Sequence, residues 1–181
     1  MRTKVISQEV LDVVTIEDAM EHSRITDSYD ELVVQMCLDS AHDLVQQWLN
    51  RKLVPTQMVF GLEEWKSKVH LQYPPVVSIT EIKAEDSAEA EVTLTAGDDF
   101  KFDDVFQTVI LKESTVDYTN FKIVVDCGYR DGECPEAVKH AIRMTFATLY
   151  ENREDLVVGT QVNEVPMTAR KILRSHRVRG F

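Results

Sequence analysis

The sequence predicts an α+β fold: a small helical bundle, a β-rich insertion between the second and third main helices, and an extended C-terminal docking segment. Apolar residues recur at helical spacing in three stretches, and between the second and third of these the pattern changes to short β-like runs broken by turn residues. A chain of 181 residues, 44% of them hydrophobic, suits one ordinary domain. We therefore expect an N-terminal arm or edge segment at 1–14, a single domain at 15–165 and the docking segment at 166–181.

Capping residues indicate where the first two predicted helices begin. The first helix is expected at 15–24, because Thr15 and Asp18 form a variant of the capping box. The second is expected at 28–50, where Ser28 and Glu31 form the standard box. Its predicted apolar face consists of Leu32, Met36, Cys37, Ala41, Leu44, Val45, Trp48 and Leu49.

The third predicted helix, 135–155, has the clearest start. Pro135 suits a first helical residue because its missing N–H would have had no partner there, and Glu136 places negative charge at the positive end of the helix. The positions expected to be buried are Val138, Ala141, Ile142, Thr145, Phe146 and Leu149.

The β-rich insertion is predicted at 55–127. Strict alternation marks its last run, 121–127, whereas the run from Val76 to Ile82 is off parity and indicates a bulge. The other β-like runs are 57–60, 68–71, 91–95 and 105–112. After the third helix we expect a loop at 159–165 and a short helix from Pro166 to Arg174.

Charge is distributed unevenly along the chain. Acidic residues outnumber basic ones by 31 to 20, yet the segment 166–181 carries five basic residues and no acidic one. An acidic body argues against a duplex-binding surface spread over the protein. Three cysteines without a CxxC pair favour a reducing compartment, and no apolar run is long enough to span a membrane, so we expect a soluble protein.

No motif for catalysis, cofactor binding or metal binding stands out. The six glycines form no GxGxxG, Walker-type loop or GxSxG. Asp39, His42 and Asp43 group on the polar side of the second helix, where a solvated helical face is the simpler interpretation. Glu136 and His140 lie one turn apart, but no third metal ligand is identifiable. We therefore expect no catalytic, cofactor-binding or metal-binding residues and no enzymatic activity.

Two acidic runs are interpreted as turns. One run lacks the central Gly and terminal Glu of an EF-hand loop and consists of Asp98, Asp99, Asp103 and Asp104. The other is typical of a solvated hairpin tip and consists of Glu85, Asp86, Glu89 and Glu91.

The basic C-terminus is the main candidate functional segment. Ile172 and Leu173 lie between cationic residues and can offer an apolar stripe with flanking charge to a groove of a partner. This pattern favours a docking peptide over a disordered solubilising tail. The candidate docking residues are Arg170, Lys171, Ile172, Leu173, Arg174, Arg177 and Arg179.

Six segments together resemble the head-tail connector, or adaptor, proteins of long-tailed bacteriophages. They occur in order from Thr15 to about Arg174, and their combination is more specific than any one of them. They are TIEDAMEHSRI (15–25), VQQWLNR (45–51), YPPVVSI (73–79), VVDCGY (124–129), PEAV (135–138) and LYENRE (149–154).

The resemblance implies a non-enzymatic head-completion protein of the virion. Such a protein forms a ring, usually twelve-fold, beneath the portal, provides a platform for the next head-completion protein or a tail-terminator protein, and lets genomic DNA pass without specific binding. It is assembled in the bacterial host cytoplasm. The residues leave two alternatives open: a small enzyme or ligand-binding protein with a dispersed site, and a DNA-binding module that uses the basic C-terminus.

Overall fold

The computed structural model describes residues 1–26, 31–65, 68–112, 117–152 and 165–178. It confirms an α+β protein and divides the chain into two compact units, each built from two separate stretches. The β unit consists of Met1–Leu11 and Lys52–Arg130, and the helical unit of Asp12–Arg51 and Asp131–Phe181. The single domain predicted at 15–165 stays a prediction.

Two antiparallel sheets form the β unit. The larger has the strand order β1-β2-β8-β4-β5, and the smaller has the order β3-β7-β6. The strands are β1 (Arg2–Gln8), β2 (Thr56–Leu62), β3 (Lys68–His70), β4 (Val76–Glu85), β5 (Glu91–Leu94), β6 (Phe100–Asp103), β7 (Thr108–Leu111) and β8 (Thr119–Cys127).

Strand β8 is the centre of the larger sheet, as its alternation indicates. Phe121, Ile123, Val125 and Cys127 are all buried, while the residues between them are exposed or half-buried. Since side chains alternate between the two faces of a strand, one face of β8 forms the core. The predicted bulge is also confirmed, because the pairing of β4 with β8 shifts register between Val76 and Ser78.

Two features of the β unit were not predicted. Arg2–Gln8 is an edge strand paired with β2, with a register shift between Val5 and Ser7, and it lies within the arm or edge segment expected at 1–14. Strand β6 was missed, and the run predicted at 105–112 begins with turn residues and becomes a strand only at Thr108.

Gly128 explains why a glycine follows β8. Its φ is +104°, and a Cβ placed there would lie 2.0 Å from the Val54 carbonyl oxygen. Only glycine combines this conformation with so close a backbone approach. The Gly-Tyr pair of the resemblance therefore has a steric cause.

The helical unit contains α1 (Ile16–Ser23), α2 (Glu31–Leu49), α3 (Glu136–Glu151) and α4 (Met167–Leu173) among its described residues. Thr15 caps α1 as predicted, since its side-chain oxygen accepts a hydrogen bond from the Asp18 N–H at 3.2 Å. The predicted cap Ser28, the end of the third helix at 153–155 and most of the loop at 159–165 lie outside the described residues.

The buried face of α2 differs from the predicted one. Its buried residues are Val34, Leu38, Ala41, Val45 and Leu49, whereas Leu32 is 75% and Met36 61% exposed. The predicted face was wrong at its N-terminal end because Leu32 and Met36 also satisfy helical spacing. Apolar residues occur on both sides of this helix there, and periodicity does not identify which side is covered.

The predicted core positions of α3 are confirmed, apart from its end. Val138, Ala141, Ile142, Thr145 and Phe146 are buried, and Leu149 is half-buried. The Thr145 hydroxyl donates to the Ala141 carbonyl at 2.8 Å, which satisfies this buried polar group within the helix.

Candidate functional site

The described part of the C-terminal segment contributes to the core of the helical unit. The short helix predicted from Pro166 is present, but Ala169 and Leu173 are completely buried and Val165 is 4% exposed. The segment is therefore not only a docking peptide, because two residues of its helix belong to the core of the helical unit. A buried Leu173 cannot present its side chain to a partner while this unit stays folded.

Three hydrogen bonds fix the residues that follow α4. The Val178 N–H donates to the Leu49 carbonyl at 3.0 Å, and the Asn50 amide donates to the Val178 carbonyl at 3.2 Å. The Arg51 Nε donates to the His176 carbonyl at 2.5 Å. These bonds join His176 and Val178 to the end of α2, and the first of them satisfies the carbonyl group of its last residue, Leu49.

A cation–aromatic contact completes this attachment, which we call the C-terminal clamp (Leu49–Arg51 with His176–Val178 and Trp48). The Arg177 guanidinium lies over the Trp48 ring, 4.7 Å from its centroid. Trp48, predicted on the apolar face of the second helix, is half-buried. On α3, Phe146 is buried, and Tyr150 is half-buried with its ring stacked on Phe146 at a centroid distance of 5.8 Å.

The candidate docking residues thus divide into three groups. Lys171, Arg174 and Arg177 are exposed, Arg170 and Ile172 are half-buried, and Leu173 is buried. Arg179 lies outside the described residues. Met167, Lys171 and the C-cap Arg174 are spaced by four and three residues, so one exposed face at α4 carries an apolar residue followed by two cations, and Thr168 is exposed beside it.

His42 has a structural role in the helical unit. It makes a hydrogen bond with the Val14 backbone, and burial lowers its pKa, while Asp12, Asp39 and Asp43 act in the opposite direction. The group of Asp39, His42 and Asp43, predicted as a solvated helical face, therefore includes one half-buried side chain, that of His42. Its contacts tie the segment before α1 to α2.

Glu136 and His140 do not act as a pair. Glu136 accepts from Lys139 at 2.9 Å, and this hydrogen bond lowers the pKa of the carboxyl group. The His140 ring instead meets the His22 ring edge to face, with centroids 5.8 Å apart. Among the described residues no group of three His, Cys, Asp or Glu side chains could hold a metal ion.

The acidic runs occur in turns and at the strand ends beside them, since Glu85, Glu91 and Asp103 are terminal residues of β4, β5 and β6. The Asp86 carboxylate accepts the Ala88 and Ala90 N–H groups at 2.8 and 3.0 Å in the turn between β4 and β5. Asp99 accepts the Thr95 N–H at 2.8 Å. These carboxylates act locally as turn caps.

One concavity of about 710 Å³ lies in the β unit and is open to solvent. Carboxylates and cations both line it, and no apolar interior with convergent polar groups is formed, unlike a typical small-molecule site. Its lining residues include Arg2, Glu63, Glu85 and Lys122. Within the described part of the chain no helix is long and apolar enough to cross a membrane.

Exposed apolar side chains are the features that sequence reasoning missed. Val105 is 79% and Phe106 72% exposed in the turn between β6 and β7. On β1, Val5 is 40% and Ile6 51% exposed. The sequence signal was present in the turn, where Val-Phe interrupts an acidic stretch, but it was interpreted as the start of a strand.

Comparison with solved structures places this fold among particle components. A chain of a structure described as "Virion of native gene transfer agent (GTA) particle" matches with a TM-score of 0.76, 17% identity and coverage of 100% of this chain and 98% of that one. A chain from the neck of the empty GTA particle, computed with C6 symmetry, matches with a TM-score of 0.71, 17% identity and the same coverage.

A third match is a chain from the neck of the native GTA particle, computed with C12 symmetry. Its TM-score is 0.67, its identity 16%, and the match covers 98% of this chain and 97% of that one. This chain therefore shares a complete fold with chains of GTA virion and neck structures. No protein-family model matches the sequence, and no curated protein does.

Proposed function

We propose that this protein is a non-enzymatic structural component of the neck of a phage-like particle. In this proposal it forms a ring that joins the portal to a tail-side head-completion or tail-terminator protein. The observation that carries the proposal is the likeness over the whole chain to chains of GTA virion and neck structures. The motifs that resemble bacteriophage connectors lead independently to the same location in the virion.

Ring formation is proposed because two of the similar chains come from necks computed with C6 and C12 symmetry. A twelve-fold ring satisfies both symmetries. In any ring each copy uses two different surfaces, one for each neighbour. The exposed apolar groups of β1 and of the β6–β7 turn give this chain two such surfaces.

Portal attachment is assigned to the exposed face of α4 and the residues after Val178. Lys171 and Arg174 supply charge opposite to that of an acidic partner surface, and Met167 is 79% exposed. Leu173 is excluded from this contact because its side chain is completely buried. The clamp holds the base of the segment, so docking costs less conformational entropy than it would for a disordered peptide.

Passage of genomic DNA without specific binding is proposed from charge. The chain has a formal net charge of −11, and five of its 20 lysine and arginine residues lie in the segment 166–181, which has no acidic residue. Negative protein charge repeated around a channel repels phosphate and keeps the genome from adhering. A ring of this composition would therefore favour DNA movement.

Electron microscopy of the full-length protein mixed with its portal tests the proposal. We expect rings seated on the portal for the wild type, and loss of seating without unfolding for the double variant Lys171→Glu/Arg174→Glu. The matched control is Lys68→Glu, which reverses an exposed cation on β3 and should leave seating unchanged. Wild-type protein that leaves every portal bare would contradict the proposed function, and normal seating of the double variant would exclude α4 as the anchor.

A further inference from the structure

The turn between β6 and β7 presents two large apolar side chains on a fixed backbone. The Asp103 carboxylate accepts the Val105 N–H at 3.1 Å and the Phe106 N–H at 3.0 Å. The Gln107 amide donates to the Asp104 carbonyl, and its oxygen accepts the Val76 N–H, each at 2.5 Å. Val105 and Phe106 are therefore exposed in a turn with a defined shape.

The exposure of Val105 and Phe106 does not stabilise an isolated chain. An exposed Phe beside an exposed Val leaves apolar surface in water that a turn of ordinary polar composition would avoid. A turn already fixed by side-chain hydrogen bonds loses little further entropy when it binds. The β6–β7 turn thus has the properties of a preformed binding element.

Strand β1 has complementary properties. All seven of its residues are exposed, and it is an edge strand of the larger sheet. Val5 and Ile6 provide apolar surface, and Arg2 and Lys4 are its charged residues. The turn, in contrast, carries Asp103 and Asp104 beside its apolar pair. The two surfaces match in apolar character and are opposite in charge.

We propose that the β6–β7 turn of one copy packs on β1 of the next copy in the ring. Val105 and Phe106 would cover Val5 and Ile6, where the register shift of β1 interrupts the alternation of side chains, and Asp104 would lie near Lys4. Such a contact joins two different surfaces, which is what a closed ring requires. The inference rests on the proposed ring and adds which surfaces form it.

Two alternative partners for these surfaces fit less well. The β4–β5 turn is also acidic, but the residues between its strands, 86–90, include no large apolar side chain. Helix α4 is basic, but Ala169 and Leu173 are buried, and Met167 is the large apolar residue it exposes. Only β1 among these surfaces combines cations with more than one exposed large apolar residue.

A charge exchange tests the contact directly. Lys4→Glu and Asp104→Lys should each reduce the number of rings several-fold, because each places like charges together at every interface. The double variant Lys4→Glu/Asp104→Lys should restore rings, since each interface then contains the same pair reversed. Rings are counted by electron microscopy in the presence and absence of portal, and the association constant is measured by sedimentation.

Three further variants separate specific from general effects. Phe106→Ser should weaken association about thirty-fold, as expected for a central aromatic anchor. Leu32→Ser removes an apolar residue of comparable exposure from α2 and should leave association unchanged. Lys171→Glu changes a cation on α4 and should not affect contacts between copies.

The outcomes distinguish this inference from the proposed function. Rings that form equally well with Lys4→Glu and with Phe106→Ser would overturn the contact and leave the ring itself standing. Failure of the double variant to recover, while both single variants remain folded by circular dichroism, would also overturn the contact. A wild type that forms no rings with or without portal would contradict both proposals.

Discussion

The β unit and the helical unit complete their cores in different ways. In the β unit, the strands from β2 to β8 come from one continuous stretch of chain, and the alternation within β8 shows which of its residues are buried. In the helical unit the core is completed by α4, near the end of the chain, and the C-terminal clamp then fixes Val178 to Leu49. Both units join remote segments, since β2 pairs with β8, but the buried face of β8 can be read from its own alternation, whereas the helical core also needs α4.

The strongest test of this comparison removes one large buried ring from each unit. We expect Phe121→Ala in the β unit and Phe146→Ala in the helical unit each to cost about 3–5 kcal/mol, because both side chains are almost completely buried. Urea denaturation measures the cost, and amide hydrogen exchange shows which unit loses protection. A cost near zero for either variant would mean that its unit does not contribute to the measured unfolding.

The next test concerns the contribution of α4. Leu173→Ala should cost about 2–5 kcal/mol, since its side chain is fully buried. The matched control is Ile172→Ala, which removes a half-buried residue next to it and should cost less. Thermal unfolding distinguishes them, and equal effects would contradict the assignment of Leu173 to the core.

Trp48→Ala tests the clamp. We expect a cost of about 1–2 kcal/mol rather than the 3–5 kcal/mol typical of a buried aromatic, because the ring is half-buried and part of its role is to stack against Arg177. Arg177→Ala should cost about 0.5–1 kcal/mol, and in Trp48→Ala protein it should cost almost nothing more. Strict additivity in this double-mutant cycle would contradict a direct contact.

The smallest effect is a dependence on pH through His42. Burial lowers the pKa of His42 in the folded protein below 6.5, the value of an exposed histidine. At pH values between the folded pKa and 6.5, the unfolded chain therefore binds more protons than the folded one. Stability should therefore fall as pH decreases from about 6.5 and level off below the folded pKa. The difference in urea midpoint between wild type and His42→Gln should change across this range, and a constant difference would exclude the effect.

The success of the sequence predictions depends on whether the deciding contacts are local. Thr15 was identified as a cap and the β8 alternation as a core strand, because both are specified by residues within one turn or one strand. The β4 bulge was predicted for the same reason. Leu32 and Met36 were misplaced because helical spacing is satisfied on two sides of α2, and coverage by other segments decides between them.

The candidate site was predicted less well than the fold. The basic character of the C-terminus was evident, but the burial of Leu173 depends on the rest of the helical unit, and the pattern of α4 alone does not contain that information. Val105 and Phe106 were read as strand because both have high β-propensity. The Asp103 cap that makes them a turn is visible only once the chain is folded.

The division into units has a consequence for synthesis. The chain passes between the two units after Leu11, after Arg51 and after Arg130, so each unit is discontinuous. All the strands have been translated once Cys127 has left the ribosome, whereas Val178 reaches its hydrogen-bond partner Leu49 only after translation is nearly finished. A nascent chain can therefore complete its sheets while its helices still await their last segment. No single cut would release either unit as a continuous fragment, and a chain truncated before Ala169 would leave the helical core open however well the sheets had formed.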